Sequence, residues 1–202
     1  MGEVRDAARQ RLRDGIVDAA RALTVAGGWD GVRMGQVAAA AGVSRQTVYN
    51  EFASKAGLAE ALARREIDRF VSEVRVRLDE HGADVRAGAY AAIAHTLAAA
   101  GDNPLIKAIL SGSGGGSDEL LPYLTTRAEL VLAEATGALR EWAARHLPAA
   151  GAADPAALAF AADTIVRLVV SHIVLPQAPA EQTARALADL ALRLFPAPRP
   201  EG

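Results

Sequence analysis

Between residues 45 and 50 the chain reads Arg-Gln-Thr-Val-Tyr-Asn, and five of these six side chains can donate hydrogen bonds. Arg45, Gln46, Thr47, Tyr49 and Asn50 are the types that reach base edges and phosphate oxygens of duplex DNA. Two cations, Arg33 and Lys55, flank them. Nothing comparable points to catalysis or to metal. His81, His95, His146 and His172 lie far apart, with no HxxxH or ExxH pairing among them. Cysteine is absent, which removes disulfides, thiolate sites and thiol nucleophiles together. The glycine run at 111–117, SGSGGGS, is followed by no Gly-Lys-Ser/Thr and is not a phosphate loop. No serine, histidine and acid form a nucleophile elbow. Neither an enzyme nor a resident cofactor or metal is expected.

Donors that read DNA must stand on a rigid helix, and the stretch AAAAGVSRQTVYNEF, 38–52, supplies one. Ala38 and Ala41 keep a first helix slim enough for a second to cross it closely. Gly42 falls where the chain needs positive φ to turn sharply. Ser44 caps the next helix, with Val43 and Val48 placed as the two members of a hydrophobic staple, so that helix starts at about Arg45. Ser54 then reads as the cap of a further helix, putting Lys55 in a first turn whose amides also attract phosphate. Phe52 and Leu58 read as core. Trp29 reads as a lid on a first helix with apolar positions Leu12, Ile16, Ala19, Ala20 and Leu23. Arg33 stands where a helix N-cap belongs; a cation at that positive helix end is unfavourable unless a phosphate lies nearby.

Residues 9–62 resemble the DNA-binding domain of TetR-family transcriptional repressors. The likeness rests on the first helix and on GGWDGVRMGQVAAAAGVSRQTVYNEFASKAGLAEAL, with Arg33 standing where the family usually has Thr or Ser. It implies that Tyr49 and Lys55 contact operator phosphates, that residues 45 to 47 read bases and that Phe52 plugs the core. With Arg33, Ser44 and Asn50, these form the expected DNA-binding set. The resemblance also implies an all-α fold of about nine helices. A helix-turn-helix domain over 1–58 would precede a ligand-binding and dimerisation domain over 59–202. The implied protein is a cytoplasmic, homodimeric repressor on a pseudo-palindromic operator, released by a small effector. An architectural helix-turn-helix binder without a ligand is the alternative, and it leaves the middle helices without a purpose.

Charge distribution agrees with a DNA-binding end. The chain carries net −2, yet residues 1–65 hold ten Lys or Arg against seven Asp or Glu, so the acidic excess lies downstream. The modest basic excess means that affinity comes from placed contacts and dimerisation more than from a broad field. No charge-free run of transmembrane length occurs and the N-terminus is charged, so neither membrane insertion nor secretion is expected.

Downstream the pattern remains helical. A long helix is expected from Ser54 to about residue 80, then helices over 83–99 and 103–110, one from Pro122 to His146, one capped by Asp154, and a last over 180–195. The run DTIVRLVVSHIVL, 163–175, is apolar nearly all round, so something must cover it. In the TetR family the two final helices form a four-helix bundle with the partner. Leu158, Ile165, Val169, His172, Leu187, Leu190 and Leu194 are therefore the expected dimer interface. Asp163 and Arg167 are spaced to neutralise one another on that helix. The middle helices offer an apolar cage with a few polar anchors, suited to a lipophilic molecule with one polar end. Its expected lining is His95, Leu97, Leu105, Ile109, Leu121, Leu124, Arg127, Val131, Glu134 and Trp142. The segments YNEFASKAGLAEAL and SGSGGGSDELLPYLTTRAE resemble actinobacterial TetR relatives associated with alkane and fatty-acid metabolism, which implies a long-chain acyl or alkane-like effector.

Overall fold

The computed structural model describes residues 2–102, 128–147 and 154–195, and the described residues form eight helices and no strand. These are α1 (Gly2–Gly31), α2 (Met34–Ala40), α3 (Arg45–Phe52), α4 (Lys55–Asp79), α5 (Val85–Asp102), α6 (Ala128–His146), α7 (Pro155–Val174) and α8 (Ala180–Leu194). The expected helix over 103–110, the glycine loop and the start of the helix from Pro122 lie outside the described residues.

Capping residues set the ends. Ser44, Ser54 and Asp154 each accept a backbone N–H from the first turn of α3, α4 and α7, and Pro155 follows at the first position of α7. Asp84 does the same for α5, its carboxylate accepting the Ala87 N–H at 2.9 Å. Gly28, with φ of 75°, kinks α1 and turns Trp29 inward, where it is buried.

The long helix α4 joins the two halves of the molecule. At 25 residues it spans about 37 Å, and its buried stripe Leu58, Leu62, Ile67, Phe70, Val74 and Leu78 runs its whole length. Its first half is fastened to α1: Arg21 reaches the buried Glu66 at 2.6 Å, and Arg65 reaches Asp14 at 2.9 Å and Asp18 at 3.2 Å. Its second half is fastened to α6 through Arg145 and His146 on Asp79 and Arg75 on Glu141. The boundary expected between residues 58 and 59 falls inside this helix, which serves both halves.

Around the second half of α4 the later helices continue the same core. α8 packs along α5, joined also by Arg86 to Asp189 at 2.6 Å, and α7 packs on α6 and α8. α7 is long and apolar enough to match a membrane span, with mean hydropathy of 1.7 over its most apolar stretch. Leu158, Ala161, Ala162, Ile165, Val169 and Ile173 bury one side of it within the chain.

Within the protomer, that packing already covers much of the set expected at the dimer interface. Leu158, Ile165, Val169 and Leu187 are buried inside their own protomer, and Leu190 and Leu194 are half-buried against the same core. The side chains turned outward are Phe160, Val174 and Leu175 at α7 and Leu192 on α8. Asp163 and Arg167 do pair, at 2.7 Å, but on this exposed face and not within a buried helix.

Candidate nucleic-acid interface and effector cavity

The turn between α2 and α3 is closed by backbone bonds that need glycine at one place. Val43 N–H donates to the Ala38 carbonyl at 2.9 Å and Gly42 N–H to that of Ala39 at 3.2 Å, with Gly42 at φ 68°. This is the paired pattern of a Schellman motif. Ser44 then starts α3, its Oγ accepting the Thr47 N–H at 3.0 Å. Val48 and Phe52 are buried one turn apart, which turns Arg45, Gln46 and Asn50 to the outer side.

Along the outer side the donors pair with one another at i,i+4 spacing. Gln46 Nε2 donates to Asn50 Oδ1 at 2.9 Å, and the Arg45 guanidinium lies 5.5 Å from the centroid of the Tyr49 ring. Arg45, Gln46 and Asn50 are exposed, and Thr47 and Tyr49 are half-buried. These contacts hold side chains extended along the helix at little cost, and each can be exchanged for a bond to a base or phosphate.

α3 is held in place by charge on one side and by a tight corner on the other. Glu51 accepts hydrogen bonds from Arg9 and Arg13 of α1 at 3.0 Å each, and the Arg13 guanidinium stacks 4.5 Å from the buried Phe52 ring. Burial raises the Glu51 carboxyl, but the hydrogen bonds and positive charge of Arg13 and Arg9 outweigh it, and it titrates below its ordinary range. At the corner, Ser54 N–H donates to the Phe52 carbonyl across Ala53, whose φ of 60° and ψ of −41° mark a strained γ-turn. A Cβ at Gly57 would collide with that same carbonyl oxygen, so only glycine lets α4 begin so close to α3. Lys55, in the first turn of α4, carries its ammonium 5.4 Å from the centre of the Trp29 ring. The N-cap of α2 is Arg33. Its side chain caps nothing, and the Gln36 carboxamide accepts the Arg33 backbone N–H at 3.2 Å instead.

In the second half of the molecule, α4, α5, α6 and α7 line an apolar, partly open cavity of about 60 Å³. Phe70 and Val74 come from α4, Ile93 and Thr96 from α5, Val131 and Leu139 from α6, and Ile165 and Val169 from α7. The one polar group in its wall among the described residues, the Thr96 hydroxyl, donates to the Ala92 carbonyl at 2.8 Å.

Family comparison now bears on both sites. A family model described as "Bacterial regulatory proteins, tetR family" matches residues 16–62, the segment holding the helix-turn-helix. A second, "Bacterial Tetracyclin repressor, C-terminal domain", matches residues 84–193, more than half of the chain. This chain is a TetR-family transcriptional regulator. It is 32% identical to the HTH-type transcriptional regulator AlkX of Mycobacterium tuberculosis over 92% of this chain and 85% of that one. Among solved structures it resembles the TetR family repressor AlkX from Dietzia sp., described as implicated in biodegradation of n-alkanes. The TM-score is 0.68 and the identity 30%, over 90% of this chain and 94% of that one. It shares the fold of FadR from Bacillus subtilis, solved in complex with stearoyl-CoA, at TM-score 0.58 and 16% identity over 88% and 96% of the two chains.

Within this TetR-family regulator, the cavity is built differently from the sequence expectation. Val131 lines it as expected. His95 stands one layer behind, stacked on Phe70 with its Nε2 3.2 Å from Glu73. Glu134 points to solvent, and Trp142 is core, packed edge-on against Phe195. Leu97 borders a different space, shared with His172. Leu105, Ile109, Leu121, Leu124 and Arg127 lie outside the described residues. Sequence reasoning missed Phe70, Val74, Ile165 and Val169 as wall, because an apolar residue facing a cavity has the same spacing as one facing solid core.

Proposed function

We propose that this regulator is a homodimeric repressor, that it binds a pseudo-palindromic operator through two copies of α3, and that a lipophilic, alkane-like or acyl effector releases it. The observation that carries this reading is the position of Phe70 and Val74. They wall the cavity, and they belong to the helix whose first residues, at Ser54 and Lys55, hold the DNA-binding half. The cavity has room for only a few water molecules, so a long chain enters by parting α4 from α5, α6 and α7. The ion pairs of α1 with α4 carry that displacement to α3 as a rigid movement, changing the spacing of the two recognition helices. Likeness to the AlkX regulators favours an n-alkane-related effector. In this reading Arg45, Gln46 and Thr47 read bases. Arg33, Ser44, Tyr49, Asn50 and Lys55 hold phosphates, and the protein works in the cytoplasm.

An effector lowers operator affinity only as far as it prefers the DNA-incompetent spacing, and a tenfold loss requires about 1.4 kcal/mol of coupling. Reciprocity demands the same tenfold loss of effector affinity in the presence of saturating operator. Anisotropy titrations of labelled operator with and without a long-chain fatty acid or its acyl thioester, paired with the converse titration, test this. Equal constants with and without the other ligand refute release. Absence of binding refutes the effector class.

A further inference from the structure

α5 and α7 run on past the apolar cavity. One turn further along both helices lies a second space of about 150 Å³. On α5 the wall steps from Ile93 and Thr96 to Leu97 and Ala100, and on α7 from Val169 and Val170 to His172 and Ile173. The far wall is the start of α8, with Ala180 and Thr183. The two spaces lie about one turn apart along α5 and α7 and differ in chemistry. The first offers almost no polar group, whereas the second gathers donors.

Three kinds of donor meet there. Thr183 is only 7% exposed, and among the described residues its hydroxyl takes part in no hydrogen bond. The residue is buried while its hydroxyl remains accessible, and the cavity it lines is where a partner can be supplied. The His172 ring, half-buried on the opposite wall, is likewise unpartnered among the described residues. The N-cap of α8 is Pro179, which has no side-chain acceptor, so the first-turn amides of α8 keep their donors and the positive end of the helix stands uncapped. Glu181 in that turn is exposed and engaged by Arg185.

We infer that this second space is the head-group subsite of the effector: it takes a hydrogen-bond-accepting oxygen at the end of a hydrocarbon chain whose tail lies in the first cavity. The inference rests on the effector reading above and adds a polarity to it. The chain lies with its tail towards α4 and its oxygen between Thr183 and His172. A plain alkane fills the first space and leaves the second unsatisfied.

The test compares dodecanoate, dodecanol and dodecane, measured by displacement of a fluorescent fatty acid from the wild type, Thr183→Val and His172→Leu. Thr183→Val keeps the shape and removes the hydroxyl, and thermal melting confirms that each variant is folded. In the wild type the acid or the alcohol binds tighter than dodecane, and the tighter of the two identifies the head group. Each substitution weakens that ligand about three- to tenfold, the worth of one hydrogen bond, and leaves dodecane unchanged. Filling the first cavity with Ile93→Trp weakens all three alike. Equal binding of all three probes to the wild type, or a Thr183→Val protein with the wild-type ratio, overturns the subsite and leaves the effector reading standing. No binding of any probe overturns both.

Discussion

Glu51 shows how one side chain fixes the angle at which α3 meets DNA. It joins the recognition helix to α1 through Arg9 and Arg13, and those partners hold its carboxyl below its ordinary value of 4.5 despite the opposing effect of burial. A depressed carboxyl stabilises the fold fully above its unfolded value, and the contribution fades as pH falls through the lower folded one. Glu51→Gln should therefore lower the denaturation midpoint near neutral pH, and the gap to wild type should close in acid. A gap that persists under strongly acidic conditions would mean that the loss is steric and not electrostatic. The neighbouring corner has two opposite sensitivities. Gly57→Ala should cost about 1–3 kcal/mol, because the new methyl meets a backbone carbonyl that cannot step aside. Ala53→Gly should gain up to about 1 kcal/mol by relieving its positive φ. Urea unfolding measures both. Neither residue is distinguishable in ASKAGLAEAL, since a sequence does not show a carbonyl approaching from the preceding helix. Gly42 was legible, because a helix must stop there before the Ser44 cap.

Helix ends were written in the chain more plainly than helix faces. Ser44, Ser54 and Asp154 announce their helices by local chemistry that needs no distant partner. The face of α7 could not be read in this way. With apolar residues on nearly every side, periodicity does not say whether Ile165 or Phe160 points inward, and only the positions of α6 and α8 decide it. α2 and α8 both start without a capping side chain, but only at α2 is the N-cap residue itself a cation. An Arg at its N-cap forgoes a side-chain acceptor and adds a cation to a positive end, a loss that makes sense where an operator phosphate comes to lie beside it. Arg33→Thr should then separate stability from binding. The protein should gain about 0.5–2 kcal/mol from the restored cap. Operator affinity at low salt should drop, and the slope of log affinity against log salt should become shallower by about one per subunit. An unchanged salt slope would exclude Arg33 from the phosphate contacts.

At the scale of the molecule, two tasks compete for the same pair of helices. α7 and α8 complete the core that walls the cavity, and in the dimer we propose they also face the second subunit. The division runs around the helix: Ile165 and Val169 look inward, whereas Phe160, Val174 and Leu175 at α7 and Leu192 on α8 look out, with Phe160 68% and Leu175 67% exposed. Large apolar side chains exposed on these two helices are the kind of surface a second subunit covers. Inward and outward substitutions should therefore fail differently. Ile165→Asp places an unpaired charge in the protomer core and should cost several kcal/mol, about enough to unfold the chain. Phe160→Glu combined with Leu192→Glu leaves that core intact and should give a folded, helical monomer. Such a monomer presents a single recognition helix. Its operator affinity should fall much further than its helicity or melting behaviour, since one half-site contact replaces two fixed in register. Sedimentation with circular dichroism on the same samples decides the matter. A double variant that remains dimeric would place the contact on another face, and an Ile165→Asp protein that stays folded but dissociates would return the interface to the inner side of α7.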